Sequence, residues 1–503
     1  MRDDLMRITY LDAAIIALYL VGITLFGMRF RKGQQDIRDY FLGGREAPWW
    51  AITFSIVATE TSLLTVIGTP AIAFAGNLGF LQLVLGYIVG RILICFIFIP
   101  HYFRGEFYTA YQLIEKRFGE NMKSVAASTF LVTRALAEGV RVAAIAKVVS
   151  VAFGIDAQYS VLPIAALTLI YTFEGGMKAV IWTDAIQMAI YLTGGVLALF
   201  LVLGEIPGGW NQVVAAAAAA PNGDKLNIFN FAFNLTTTYT FWSGLFGGVF
   251  LTLASHGTDQ LMVQRYLAAR NEHEGKKALV VSGFVVLFQF SLFLVLGVCL
   301  WVYNQQQAVP LVPLGGDNDR VFPEFVVREM PPGIVGLLIA AIFAAGMSNL
   351  SGALNSLASS TIIDFNKIRG MATDPAKLVK LSRWTTVAWG LILMGLGVIK
   401  WGGVLEKGLT VASIIYQSLL GLFLLGILNK RATSRGALVG MILGLLLMLN
   451  LAFGPDLAQY GIPQLFPRVP FTWYVLIGSI TTFLIGSIAS EFTGKRKEPH
   501  ATG

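Results

Sequence analysis

Apolar segments about 20 residues long recur from one end of this 503-residue chain to the other. A helix of about that length spans the hydrocarbon core of a bilayer. The composition agrees, because 55% of the residues are apolar and only 13% are charged. We therefore expect an all-α polytopic membrane protein with about 13 transmembrane helices. Their approximate extents are 8–28, 48–76, 78–100, 123–153, 159–174, 179–203, 238–266, 277–303, 332–364, 380–400, 408–428, 435–455 and 470–490.

The basic residues indicate how these helices are oriented. About 25 of the 37 Lys and Arg residues lie on one alternate set of loops, and about 8 lie on the other set. Cytoplasmic loops carry the excess of such residues. This predicts a cell (inner) membrane protein with its N-terminus outside and its C-terminus in the cytoplasm. The net charge of +8 is then a membrane signal, and we expect a protein that functions as a monomer without a nucleic-acid partner.

Residues 341–360, AIFAAGMSNLSGALNSLASS, combine an apolar span with seven Ser and Asn residues. Ser348, Ser351, Asn355 and Ser359 follow the spacing i, i+3, i+7, i+11, which places them on one helical face. Neutral oxygens buried on one face suit a dehydrated monovalent cation. They equally suit hydrogen bonding between helices, so the pattern alone leaves both interpretations open.

The second predicted span contains residues that interrupt a helix. Its sequence, SIVATETSLLTVIGTPA, surrounds Glu60 with Ser and Thr and continues to Gly68 and Pro70. Ser and Thr side chains compete for backbone hydrogen bonds, and Gly and Pro weaken the helix. An unwound stretch here would free carbonyl groups to bind a cation. The alternative is a helix kinked by proline, with Glu60 paired to an arginine.

A second interruption is expected in the span GGVFLTLASHGTDQLMVQR. Gly247, Gly248 and Gly257 make it a poor continuous helix, and His256 and Asp259 add ionisable groups. Two interrupted spans five apart are typical of a transporter site built from discontinuous helices. A packed histidine and a structural aspartate near the inner surface are the alternatives for His256 and Asp259.

Further charged residues lie inside predicted spans, where they are costly and become functional candidates. Arg134, Glu138 and Arg141 share one helical face. They can form an internal ionic network, or leave an arginine free to hold a substrate carboxylate. Asp184 lies near a span end, and within reach of the Ser348 face it would strengthen a cation site. It can equally form an ion pair at the helix end.

Four segments stand out along the chain: ATETSLLTVIGTPA (58–71), GGMKAVIWTDAIQ (175–187), DQLMVQRYLAARNEHEGKKA (259–278) and AAGMSNLSGALNSLASSTIIDF (344–365). Together they resemble the sodium:solute symporter family. The resemblance implies a LeuT-type core of two inverted repeats of five helices, each with a broken first helix, preceded by one helix and followed by two. The expected units are an N-terminal helix and cytoplasmic loop (1–47), the first repeat (48–203), an extracellular loop (204–237), the second repeat (238–430), and two C-terminal helices with a cytoplasmic tail (431–503).

The resemblance also implies a sodium site. Its ligands would be the backbone carbonyls of Ala58, Thr61 and Ala345 and the side chains of Ser348 and Asn349. The family normally has a Ser or Thr hydroxyl where this chain has Asn349, although an amide oxygen can also bind a hard cation.

Some members of the family carry a second sodium site. Here the resemblance places it on Asp184, Ser348 and Ser351. Gly352 stands where another serine can occur, so this chain departs from the pattern at that position.

By position in the resemblance, Glu60, Gln82, His256 and Gln417 are expected to line the substrate cavity, with Arg141 as the candidate carboxylate clamp. The predicted function is a sodium-coupled secondary active symporter that imports a small organic solute by alternating access. The alternatives are proton coupling through Glu60, a channel, and a membrane sensor that binds solute without moving it. No set of nucleophile, base and acid suggests an enzyme.

Overall fold

The structure is a computed structural model that describes residues 8–32, 34, 36–61, 63–105, 107–153, 157–312, 316–369, 374–399, 404–458, 461, 463–467 and 469–493. These residues form nineteen α-helices joined by short turns and 3-10 segments, and no β-strand is present among them. The predicted all-α class is confirmed.

The first half of the chain contains a long helix that combines two predicted spans. This helix, α9, runs through both 159–174 and 179–203, and the non-helical Gly176 (φ 54°, ψ −151°) interrupts it. A Cβ at Gly176 would lie 2.5 Å from the Tyr40 carbonyl oxygen, so only glycine permits this close approach. The helices of this half are α1 (Tyr10–Met28), α2 (Ile37–Leu42), α3 (Trp49–Glu60), α4 (Leu63–Ala75), α5 (Leu81–Ile97), α6 (Ile99–Arg104), α7 (Tyr111–Phe118), α8 (Glu120–Phe153) and α9 (Ala157–Glu205).

The second half begins with a short helix in the long loop after α9 and continues with the second interrupted span. Its helices are α10 (Gly209–Ala218), α11 (Phe241–Gly257), α12 (Gln260–Leu267), α13 (Glu272–Gln306), α14 (Val321–Glu329), α15 (Ile334–Arg369), α16 (Pro375–Gly397), α17 (Val404–Leu428), α18 (Ser434–Ala458) and α19 (Tyr474–Thr493).

Seven helical segments among the described residues are long and apolar enough to cross a bilayer, or eight if α3 and α4 form one bent span. One of the seven, Leu162–Glu205, has 44 residues, about twice the roughly 20 that one span needs, and the break at Gly176 lies within it. The number of 13 transmembrane helices and the division into two repeats stay predictions.

Helix α15, which carries the Ser and Asn face, lies in the interior of the molecule. In its most apolar part 89% of the residues are buried, against 28% in α1 and 33% in the segment that includes α19. The peripheral helices expose large apolar side chains such as Leu18 and Ile488, as expected of surfaces that contact lipid. The polar face of α15 is therefore turned toward other helices.

Candidate functional site

The first interruption lies between α3 and α4, where the sequence predicts it. Helix α3 ends at Glu60, Thr61 has non-helical angles (φ −78°, ψ 82°), and the two helices are bent by 58°. The last carbonyl groups of a helix lack partners within it. The carbonyls of Ala58 and Thr61 thus belong to a backbone segment that can accept bonds from outside the helix.

The Ser and Asn face of α15 packs against this interruption. Asn349 Nδ2 donates a hydrogen bond to the carbonyl of Thr59, near the end of α3. Ser348 Oγ donates to Asp184 Oδ1 at 2.6 Å, and Ala345 lies three residues earlier on the same helix. All of these groups are buried. The structure thus brings Asp184 and the Ser348 face together, while the sodium ligands implied by the resemblance stay predictions.

Asp184, on α9, is the charged centre of this region and is fully buried. Its Oδ2 accepts hydrogen bonds from Ser55 Oγ at 2.5 Å, from Thr59 Oγ1 at 3.4 Å and from Arg265 Nη2 at 3.2 Å. Together with the Ser348 bond, these contacts join α3, α9, α12 and α15 at one carboxylate. Asp184 is thus the centre of a buried network that joins helices, and this network includes its ion pair with Arg265 in the last turn of α12.

The second interruption lies at Thr258 and Asp259, between α11 and α12. Thr258 has non-helical angles (φ −126°, ψ −13°), and Asp259 Oδ1 accepts a hydrogen bond from the Leu261 N–H at 2.8 Å to cap α12. Helix α11 is continuous through Gly247 and Gly248. A Cβ on Gly248 would lie 2.3 Å from the Leu83 carbonyl oxygen, so this glycine permits close helix packing.

An ionic cluster fixes the second interruption. Arg134 Nη2 forms an ion pair with Asp259 and donates to the Tyr416 hydroxyl at 2.6 Å, while Tyr416 donates to Asp259 Oδ2 at 2.6 Å. Glu138 lies 3.8 Å from Arg134 Nη1. The network interpretation of Arg134 and Glu138 thus agrees with the geometry, and Asp259 belongs to that network.

Arg141 differs from Arg134 in its surroundings. Its Nη1 donates to Glu138 Oε2 at 3.0 Å and to Asn349 Oδ1 at 3.4 Å. Its side chain is 23% exposed, whereas that of Arg134 is 3% exposed. Arg141 therefore connects the candidate sodium ligand Asn349 with accessible space.

A second charged group surrounds Glu60. Glu60 forms an ion pair with Arg91 of α5, and His256 Nε2 lies 3.4 Å from Glu60 Oε2. Arg91 Nη2 lies 3.4 Å from the same histidine nitrogen, and Arg91 Nε donates to Ser282 Oγ at 3.2 Å. The two interrupted spans thus meet at Glu60 and His256, two of the expected cavity residues.

Gln82 and Gln417 have other partners. Gln82 Oε1 accepts from the Asn230 N–H at 2.9 Å, and its position is nine residues, about 13.5 Å, from Arg91 along α5. Gln417 Oε1 accepts from Thr482 Oγ1 at 3.2 Å, which directs it toward α19. Neither contact joins them to the group around Glu60.

Sequence reasoning did not single out Arg265 or Gln289. Arg265 pairs with Asp184. The only hint of this pair in the sequence is Gly352, which leaves room for the Arg265 guanidinium. Gln289 Oε1 accepts from Thr61 Oγ1 at 2.6 Å and from Tyr191 at 3.2 Å, beside the first interruption. Its buried Nε2 has no hydrogen-bond partner among the described residues.

Comparisons with known proteins give consistent results. A model of the "Sodium:solute symporter family" matches residues 40–444. The human sodium/iodide cotransporter is 31% identical over 458 residues, which are 88% of this chain and 69% of the human protein. The sodium/sialic acid symporter of Proteus mirabilis (strain HI4320) is 29% identical over 509 residues, covering 97% of this chain and 96% of that protein.

The fold is also similar to that of a solved transporter. The structure of a substrate-bound, outward-open Na+-coupled sialic acid symporter matches with a TM-score of 0.86 at 28% identity, and the match covers 97% of this chain and 98% of that chain. This likeness confirms the predicted LeuT-type architecture.

Proposed function

Since the chain belongs to the sodium:solute symporter family, we propose which of its residues bind the ion and the solute. The protein is a sodium-coupled membrane symporter and not an enzyme. The sodium site consists of the carbonyls of Ala58, Thr61 and Ala345 and the side chains of Ser348 and Asn349. The observation that carries this proposal is the direct packing of α15 on the interrupted end of α3, through Asn349 and the Thr59 carbonyl.

The chemistry of this region suits a sodium ion. Its candidate ligands are buried neutral oxygens, and hard cations prefer oxygen ligands. Asn349 directs Nδ2 at the Thr59 carbonyl. If the side-chain amide of Asn349 rotates by half a turn, it presents Oδ1 in place of Nδ2 to an ion at the end of α3. Asp184, hydrogen-bonded to Ser348, supplies negative charge next to the site.

Asn349 also connects the binding of the ion with the binding of the solute. Asn349 Oδ1 accepts a hydrogen bond from Arg141 Nη1 at 3.4 Å. When Oδ1 turns to the ion, Arg141 loses this acceptor and keeps only its bond to Glu138 among those described, so its guanidinium can then donate to a solute as well. Sodium and solute then favour the same conformation, which is positive coupling between their binding sites. Each is carried across as the protein shifts from outward-open to inward-open states.

We propose that the solute is a small anion held by Arg141. Iodide and sialic acid, named in two relatives, are both negatively charged. Arginine binds a carboxylate through two parallel hydrogen bonds. Glu60 and His256 line the substrate cavity as well. Gln82 keeps its bond to the Asn230 N–H and Gln417 its bond to Thr482, so neither binds the solute directly.

The orientation is part of the same proposal. The distribution of basic residues supports an N-terminus outside the cell and a C-terminus in the cytoplasm. The protein works as a monomer, with the two repeats at 48–203 and 238–430.

Replacement of Ser348 tests the sodium site. In proteoliposomes, Ser348→Ala should abolish the sodium-stimulated part of solute uptake, since it removes a ligand and a partner of Asp184. Ser356→Ala is the matched control, because Ser356 Oγ donates only to the Ala353 carbonyl one turn away. Wild-type sodium dependence in Ser348→Ala would exclude the site.

A thermal-shift screen identifies the solute. Sugars, amino acids and organic acids are added to the purified protein in sodium, and the screen is repeated in potassium. We expect a carboxylate that stabilises the protein only in sodium, with no stabilisation of Arg141→Ala. A neutral sugar as the sodium-dependent stabiliser, or full stabilisation of Arg141→Ala, would exclude the anion clamp.

A further inference from the structure

Arg265 is a buried cation whose side chain is enclosed by the first and second interrupted spans. It is 1% exposed. Its Nε donates to the Ser55 carbonyl at 3.2 Å and to Ser55 Oγ at 3.0 Å. Nη1 donates to the Leu261 carbonyl at 2.6 Å, and Nη2 donates to Asp184 Oδ2 at 3.2 Å. The guanidinium is therefore held in one position by four hydrogen bonds.

The space for this guanidinium comes from Gly352 on α15. A Cβ at Gly352 would lie 2.3 Å from Arg265 Nη2 and 3.2 Å from Cζ. Contacts this short do not occur, so any side chain at position 352 would force the guanidinium away from Asp184. Gly352 and the Arg265 conformation are thus a matched pair.

The oxygens of Asp184 already accept hydrogen bonds. The carboxylate accepts from Ser55, Thr59, Ser348 and Arg265. Ser351 Oγ donates to the Ser348 carbonyl at 2.9 Å, which uses its proton but leaves its oxygen able to accept. What opposes a cation beside Asp184 is therefore the fixed positive charge of Arg265, which already pairs with this carboxylate.

We propose that the Arg265 guanidinium takes the place of a second sodium ion at Asp184, Ser348 and Ser351, so that this chain binds a single sodium ion. The second site expected from the family resemblance is then closed by the protein's own cation. This inference rests on the proposed function, because it counts ions beyond the first sodium site.

The test is the number of sodium ions bound by the purified full-length protein, measured by equilibrium dialysis with radioactive sodium in a choline buffer. We expect one saturable ion per chain. Two ions per chain would overturn the inference and leave the first site intact. No bound sodium would overturn the proposed sodium site and the inference with it.

Two variants test the role of Arg265 directly. Gly352→Ser adds a hydroxyl and displaces the guanidinium, and Arg265→Met removes the charge. Each should raise the stoichiometry from one ion to two. Gly346→Ala is the control on the same helix, because among the described residues its new Cβ would meet only Ile145 side-chain atoms, at 3.0 Å, and not Arg265. If Arg265→Met fails to fold, Gly352→Ser still decides, and a single ion in Gly352→Ser contradicts the inference.

Discussion

The two interrupted spans are held by different chemistry. At the first, Glu60 forms an ion pair with Arg91, but the backbone at the end of α3 meets neutral groups of α15, and the Thr59 carbonyl accepts from an amide. At the second, Asp259 forms an ion pair with Arg134 and accepts from the Tyr416 hydroxyl. The first interruption thus has the carbonyl groups that we propose as sodium ligands, while an internal ion pair holds the second.

This difference indicates how one ion can control the transporter. An interruption closed by an internal ion pair does not depend on the sodium concentration. At the first interruption a backbone carbonyl meets a neutral donor, so a cation can bind there without displacing a fixed positive charge from that carbonyl. We infer that sodium acts on α3 and α15, and that the Arg134 cluster keeps α11 and α12 in register.

The largest expected effect is from Arg134→Met, which leaves Asp259 buried without its cation. Loss of one partner of a buried ion pair costs about 3–5 kcal/mol of folding free energy. The free energy of unfolding in detergent should fall by that amount, equally in sodium and in potassium. The double variant Arg134→Met/Asp259→Asn should recover part of the loss. A single variant as stable as the double variant would show that the pair does not hold the second interruption.

A smaller effect is expected from Gly248→Ala, which tests why the glycines of α11 are present. The added Cβ would lie 2.3 Å from the Leu83 carbonyl oxygen and 3.0 Å from Gly86 Cα. Overpacking of this kind costs about 1–3 kcal/mol. The control is Gly22→Ala, because a Cβ there has no neighbour within 4 Å. Equal melting temperatures for the two variants would contradict the close packing of α5 and α11.

These glycines also show what the sequence could and could not reveal. The first interruption lies beside Glu60, where the sequence places Ser and Thr, but helix α4 continues through Gly68 and Pro70, and Glu60 also forms the ion pair with an arginine that the alternative expected. The sequence predicted the second near Gly247, Gly248 and Gly257, but helix α11 continues through the first two of these. Glycine at a helix contact and glycine at a helix break look alike in sequence, and only the neighbouring helix distinguishes them.

The site was predictable to a similar degree. The spacing of Ser348 and its neighbours revealed a polar face, and Asp184 was expected near it. Arg265 was not found, because its role depends on space left by Gly352, 87 positions further along the chain. A side-chain conformation set by a distant glycine leaves no local pattern. In the same way, Gln82 binds the Asn230 N–H in a long loop, which no helical period reveals.

At the first interruption, Asn349→Ala should weaken sodium binding without loss of the fold. Removal of one neutral hydrogen-bonding group costs about 0.5–1.5 kcal/mol, which corresponds to about a twofold to thirteenfold rise in the sodium dissociation constant. Asn349→Ser, which restores an oxygen ligand, should retain more of the affinity. Titration of bound radioactive sodium measures both. Unchanged affinity in Asn349→Ala would remove this residue from the site and with it the route to Arg141.

The smallest effect is expected from Lys225→Met, at the other end of the first interrupted span. Lys225 Nζ donates to the carbonyls of Phe74 at 2.9 Å and Gly76 at 2.7 Å, and it lies 4.7 Å from the ring centre of Trp301. A cation at a helix C-terminus contributes about 0.3–1 kcal/mol, and methionine keeps the apolar contact with the ring. The melting temperature should therefore fall slightly while the sodium dissociation constant stays unchanged, because the proposed sodium site lies where α3 ends, whereas Lys225 contacts the end of α4. A change in sodium affinity as large as that of Asn349→Ala would mean that α4 also takes part in closing the site.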